Sequence, residues 1–185
     1  MICEKIRKFF KVIFVVLFIS QIPLWLGCAQ PAQASRMVPT NIDVANKHLY
    51  TVSVGESVGG KETNPLWSSQ ISNTAYTQAL IEALAQSCVF KQVIKGDNAD
   101  YILDVTLLKY DQPVIGIDFD VKMKTKWELT DTKTFTTVWS DTFETTYRAK
   151  LGDAAFAVER LQKANEGSAR TNIAEGIKRL SQLQL

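Results

Sequence analysis

Histidine is almost missing from this chain: His48 is the only one in 185 residues. One imidazole excludes most His-based metal sites and the Ser-His-Asp type of triad. His48 has no second His and no acid at metal spacing, so it reads as a surface residue at the start of a strand. Cysteine is nearly as scarce, at three. No CxxC, HExxH, nucleophile elbow or dinucleotide fingerprint occurs. Excess charge is absent as well. Lys and Arg number 21 against 19 acids, a formal net charge of +2, which excludes a strongly basic nucleic-acid binder and an acidic disordered tail. Internal repeats and low-complexity tracts are not seen. These absences predict a non-enzymatic protein with no cofactor, no metal, no nucleotide and no nucleic-acid partner.

What is present begins with an address. Lys5, Arg7, Lys8 and Lys11 precede Val12–Leu26, a run of 15 residues without a charge. About 20 apolar residues are needed to cross a bilayer as a helix, so this run is short for a permanent anchor. A basic n-region, an apolar h-region of this length and a small-residue exit read as a bacterial export signal over residues 1–27. Two processing sites overlap at its end. Leu26-Gly27-Cys28 resembles the end of a lipobox, in which the cysteine receives a diacylglyceryl thioether and a dedicated peptidase cuts before it. The lipobox usually carries Leu three places before the cysteine, and Trp25 stands there instead. The rival is Ala32-Gln33-Ala34, an A-x-A site that would release a chain beginning at Ser35. An uncleaved inner-membrane anchor is the third reading. Removal of residues 1–27 takes four bases and one acid with it, leaving a net charge of −1. The slight basicity therefore belongs to the signal.

Residues 28–47 are polar, contain Pro31 and Pro39 and lack periodicity, which predicts a tether. A single domain is expected over 48–185. His48–Val54 alternates as a strand, and 55–64 is a Gly-rich loop. Asn64-Pro65 resembles a helix start, followed by a stripe through Ile71, Ala75, Ala79, Ala83 and Cys88. Phe90–Ile94 reads as a short strand, and Tyr101–Leu108 as a longer one. From Ile115 through Phe119, Val121, Met123 and Trp127 to Leu129 the chain alternates with Asp118, Asp120, Lys122, Lys124 and Lys126, as in a strand with one wet face. A turn at 131–134 leads into a strand through Trp139, Phe143 and Tyr147. Gly152-Asp153 then opens a final helix to about Leu183, in which Gly167 and Gly176 predict a close contact or a break. The fold class that follows is α+β: a mostly antiparallel sheet in the order β-α-β-β-β-β-α, with two helices packed on one face.

Three features invite chemistry. Gly55 to Lys61 matches G-x-x-x-x-G-K, but Glu62 stands where Ser or Thr should hold magnesium, and the helix does not begin at the lysine. A flexible loop is the ordinary reading. Asp118 and Asp120 point the same way, but they continue into the Lys122–Lys126 ladder, as in a solvated strand face that blocks edge pairing. Cys88 follows an apolar helix face and reads as a buried small hydrophobe. Trp67, Trp127 and Trp139 read as core.

Cys28 behind an export signal, a V-x-V strand, the helix Ile71–Leu80, and then Ala99-Asp100-Tyr101-Ile-Leu-Asp104-Val105 form a familiar progression. It resembles the small envelope lipoproteins grouped around the lipopolysaccharide-assembly lipoprotein, the curli-secretion lipoprotein and the auxiliary lipoproteins of ABC-type lipid transporters. The segments Glu62–Trp67 and Lys163–Ile173 resemble a family of uncharacterised bacterial proteins. The resemblance implies a lipid-anchored α+β accessory that docks on an envelope transport or assembly complex, with the membrane and envelope proteins as its partners. Ala29, rather than Asp, in the second mature position points to an outer-membrane lipoprotein facing the periplasm; a soluble periplasmic or inner-membrane-anchored protein is the alternative. The competing function is a periplasmic small-molecule or lipid binder, with a pocket between sheet and helices lined by Phe119, Trp127, Trp139 and Phe143.

Overall fold

The computed structural model describes residues 28–185 except Asp97 and Val114. The export signal read over residues 1–27 lies outside the described residues. No helix among the described residues is long and apolar enough to cross a membrane. The regular elements are α1 (Ala34–Met37), β1 (His48–Val54), α2 (Asn73–Ser87), β2 (Phe90–Val93), β3 (Tyr101–Asp111), β4 (Phe119–Asp131), β5 (Thr137–Ala149) and α3 (Ala157–Leu180), with a 3-10 turn at Leu151–Asp153.

The five strands form one sheet in the order β2-β1-β3-β4-β5. β1 runs parallel to both β2 and β3, while β3-β4 and β4-β5 are antiparallel. The α+β class and its element order therefore hold. The parallel start follows from α2, which carries the chain from β1 over to β2 as a crossover. The antiparallel remainder follows from short turns, such as the one at 131–136 where Asp131 N–H donates to the Thr136 carbonyl.

Alternation sets the faces. In β4, Phe119, Val121, Met123, Thr125, Trp127 and Leu129 are buried, and Lys122 and Lys124 between them are exposed. α2 and α3 cover this apolar side, giving two layers about one main core. A smaller cluster of Phe119, Val121, Ala149 and Ala164 closes one end. α3 is continuous, so its glycines mark contacts and not a break. A Cβ at Gly176 would lie 2.3 Å from Cζ2 of Trp127, and one at Gly167 2.3 Å from Cε1 of Tyr147. Each glycine lets an aromatic ring of the sheet rest on the helix backbone.

Several local expectations are corrected. α2 begins at Asn73, where the Ser72 hydroxyl accepts from Ala75 N–H at 3.2 Å, and not at Asn64-Pro65. Asn64 caps a closed turn instead, its Oδ1 accepting from Leu66 N–H, which leaves Trp67 80% exposed and not in the core. Cys88 ends α2 in the left-handed region at φ 52 and is exposed, since a residue turning the chain away from the helix loses its place on the buried stripe. His48 is buried, not on the surface: Nε2–H donates to the Leu180 carbonyl at 2.9 Å and the ring packs on Phe90. Ile115 and Ile117 precede β4 and are exposed. The final helix starts at Ala157, after the 3-10 turn that holds Gly152-Asp153.

Candidate functional site

Between Leu161 and Ile173, α3 carries no large apolar side chain. Yet Gln162, Asn165, Glu166, Ser168 and Asn172 are all buried there. Buried polar groups need partners, and all of these except the Ser168 hydroxyl, which has none, take theirs from three directions. Asn172 Oδ1 accepts from the Tyr76 and Thr125 hydroxyls, each at 2.9 Å, and its Nδ2 donates to Thr145 Oγ1, tying α2, β4 and β5 to the helix. Asn165 Nδ2 donates to the Ser69 carbonyl at 2.9 Å. Gln112, just past β3, donates through Nε2 to that same carbonyl and to Asn165 Oδ1.

The third direction is the N-terminal segment. Gln162 Nε2 donates to the Pro31 carbonyl at 2.9 Å, and Gln33 N–H donates to Glu166 Oε1 at 3.0 Å. Arg170 donates to the Arg36 carbonyl. On the other side of the segment, Ala29 N–H donates to the Pro65 carbonyl at 2.8 Å and Ala32 N–H to Gln70 at 3.0 Å. Further along, Ala45 and Asn46 donate from their N–H groups to Ser181. Residues 29–38, expected as a polar tether, are thus a strap laid along α3, with Ala29, Ala32, Met37 and Val38 buried. A segment with only one turn of helix, α1, that buries scattered alanines shows no helical or strand period, which is why its docking escapes a periodicity test. Cys28, which precedes the strap, is exposed.

Glu166 is the ionisable centre of this contact. Burial raises its carboxyl above the usual range, while the Gln33 N–H and the guanidinium groups of Arg36 and Arg170 act in the opposite sense. The Arg36 guanidinium stands 3.8 Å from Glu166 Oε2. A cleft of about 480 Å³ opens beside it, walled by Arg36, Tyr147, Lys163, Glu166 and Arg170.

The four aromatic residues expected to line a pocket do not share one. Trp127 is fully buried beneath Gly176, its indole N–H donating to Thr125 Oγ1, and packs against Phe143 with ring centroids 6.0 Å apart. Phe119 belongs to the smaller cluster, under the Arg160 guanidinium, and Trp139 is a half-buried flank of the main core. None of them borders the clefts of 400 to 590 Å³ found among the described residues. Helix α3 packs directly on the sheet here, with Gly176 against Trp127.

The Gly55–Lys61 loop does not make a phosphate cradle. Gly55, Val58 and Lys61 donate their N–H groups to carbonyls of Leu103, Val105 and Ile71, and Gly60 N–H to Asn73 Oδ1. With Ser57 N–H given to Thr77 Oγ1, most of its backbone donors are spent on the protein itself. Asp120 pairs with Arg148 through two bonds of 2.6 Å, and Asp118 accepts from Leu151 N–H. The two carboxylates are strand and turn fastenings. No group of three or more potential metal ligands occurs among the described residues.

No family model matches this chain, and no curated protein matches it either. Solved structures do. Protein XCC0632 from Xanthomonas campestris is similar with a TM-score of 0.58 and 11% identity over 78% of this chain and 93% of that one. The hypothetical protein CT253 from Chlamydia trachomatis gives 0.52 and 8%, over 74% and 96%. The uncharacterized lipoprotein B from Nitrosomonas europaea gives 0.50 and 10%, over 75% and 86%. What is shared is the fold. At such identities the likeness extends to the arrangement of sheet and helices and assigns no residue a role. Gln162, Asn165, Glu166 and Asn172 were not legible as a unit in the sequence. The available signal was the stretch of α3 that is helical yet holds only small and amide or acidic residues where a core helix would carry Leu or Ile.

Proposed function

We propose that this chain is a lipid-anchored, non-enzymatic protein of the bacterial cell envelope, attached through Cys28 and facing the periplasm. The observation that carries the reading is the setting of Cys28. It stands one residue, Gly27, past the uncharged Val12–Leu26 run, and it is exposed while the residue after it is already bonded to the domain. Cleavage at the rival A-x-A site would remove residues 29–34. Glu166 would then lose the Gln33 N–H, and Gln162, Gln70 and Pro65 would lose their strap partners. The strap therefore favours a mature chain that starts at Cys28. The shared fold of a lipoprotein from Nitrosomonas europaea supports the same reading.

Within the envelope, the protein serves as an accessory that docks on a transport or assembly complex, and Ala29 after the cysteine favours the outer membrane. The direct packing of α3 on the sheet argues against the ligand-binding alternative at Phe119, Trp127, Trp139 and Phe143. Palmitate labelling with membrane fractionation tests the anchor, comparing the native chain with Cys28→Ala. Label that depends on Cys28 is expected; an unlabelled protein starting at Ser35 would remove the reading. Crosslinking in intact membranes tests the docking, and recovery of no envelope protein would count against it.

A further inference from the structure

An acylated Cys28 would have little freedom to stand away from the lipid, because Ala29 is buried and bonded to Pro65. Whatever lies beside Pro65 is then held at the membrane. Leu66 and Trp67 come next in the chain and are 82% and 80% exposed. They top the closed turn at Asn64–Ser68, where Trp67 and Ser68 donate to the Asn64 carbonyl and Leu66 to its side chain. The turn is rigidly made, so this exposure is built in.

Two further loops reach the same end. Ser69 accepts from Gln112, from which the β3–β4 loop departs with Ile115 91% and Ile117 70% exposed. Asp118, closing that loop, accepts from Leu151 N–H in the segment between β5 and α3, where Leu151 and Phe156 are also exposed. The strap returns to this end through Pro31, held by Gln162 in the second turn of α3. Six of the twelve exposed large apolar side chains among the described residues therefore belong to the three loops at this end. Soluble surfaces seldom concentrate such residues, and Trp beside aliphatic side chains suits the boundary between headgroups and acyl chains.

We propose that Leu66, Trp67, Ile115, Ile117, Leu151 and Phe156 form a membrane-facing end that rests in the bilayer surface holding the Cys28 acyl groups. This rests on the anchor reading above. The domain is then oriented as well as tethered: α3 leads away from the lipid, and the β4–β5 turn and the C-terminal end of α3 face outward into the periplasm. Shallow insertion of the loops also adds apolar contact to the acyl anchor and slows its exchange between membranes.

The test uses the mature protein purified from cells labelled with palmitate, reconstituted into phosphatidylethanolamine and phosphatidylglycerol vesicles carrying dibromo lipids substituted near the headgroup. Quenching of tryptophan emission is expected, and it is lost in Trp67→Phe, since Trp127 is fully buried and Trp139 is half-buried in the sheet. The pair Leu66→Asp with Ile117→Asp places charges at exposed sites that folding does not use; it should abolish Trp67 quenching and keep the palmitate label. Labelled protein whose Trp67 is not quenched overturns the membrane-facing end and leaves the anchor standing. If Cys28 carries no label, the anchor reading falls. The released protein mixed with the same vesicles then decides the loops alone: quenching keeps them at the bilayer, and its absence overturns them. A photo-crosslinker in place of Leu66 should form lipid adducts in intact cells, and a protein adduct there would overturn the assignment.

Discussion

Gly176→Ala places one methyl group against the fully buried ring of Trp127. The new Cβ would stand 2.3 Å from Cζ2, 2.4 Å from Cη2 and 2.6 Å from Cε2 of Trp127. Carbon atoms pack best at about 3.5–4.0 Å, so the ring or the helix must retreat by about 1 Å or more. The ring cannot slide freely. It is fully buried, its indole N–H is bonded to Thr125 Oγ1 at 3.1 Å, and Phe143 packs against it. Overpacking of this kind costs about 3 kcal/mol at the upper end of its usual range, and the gain in helix propensity over glycine returns about 1 kcal/mol. A net loss of about 2 kcal/mol follows. For a domain of this size that lowers the melting temperature by about 4–8 °C. The assay is thermal unfolding by circular dichroism, with Gly152→Ala as a control, because nothing lies within 4 Å of a Cβ built there. Trp127→Phe in the Gly176→Ala background should recover part of the loss, since the smaller ring vacates the contested space. A melting temperature unchanged or raised by Gly176→Ala would refute the close seating of α3 on the sheet.

Three further outcomes follow from the polar contacts of the same helix and from the outer sheet face. Asn172→Ala strands the buried Tyr76 hydroxyl and removes a Thr125 partner, costing about 3 kcal/mol, whereas Tyr76→Phe leaves Asn172 paired with Thr125 and costs about 1 kcal/mol. Urea midpoints of the two variants should separate in that order, and equal midpoints would count against the network. Glu166 is buried with a raised pKa, so the folded chain holds this proton more tightly than the unfolded chain does. Its contribution to stability is full below the ordinary glutamate range and is lost as pH rises through the folded value. Glu166→Gln keeps an acceptor for Gln33 and cannot ionise, so urea titrations between about pH 4 and pH 7 should show a flatter pH dependence than wild type; an unchanged slope sinks this account. Asp120→Asn removes a charge from an exposed ion pair with Arg148 and should leave the urea midpoint in place, since such pairs are screened by water. A large drop would mean that Asp120 has a role beyond fastening the strand.

Strand faces were legible because they depend on period two alone. From Phe119 to Leu129 the side chain at each position is assigned to core or water by its neighbours in sequence, and β3, β4 and β5 follow that pattern in space. The proposal for Cys28 rests on the same kind of reason: a cysteine one residue past an uncharged run is a local pattern. The helix start was not. Asn64-Pro65 has the chemistry of a cap, and Asn64 does cap the next turn, but the residues beyond it supply no apolar stripe until Ile71, so the turn closes on itself and leaves Trp67 outside.

The remainder was decided by what packs on what. His48 is buried only because the last turn of α3 offers the Leu180 carbonyl, and Cys88 is exposed because the chain turns left-handed there. The strap at 29–38 is ordered by groups more than a hundred residues away, through Gln162, Glu166 and Arg170. The amino-acid sequence by itself determined the class of fold and the faces of β3, β4 and β5, and it marked the cysteine proposed as the anchor. Only the tertiary structure decided that the residue after this cysteine is buried and bonded to the domain at Pro65. Alternation and capping act within a few residues, whereas a hydrogen bond between Pro31 and Gln162 exists only once the whole sheet has placed α3 beside the N-terminus.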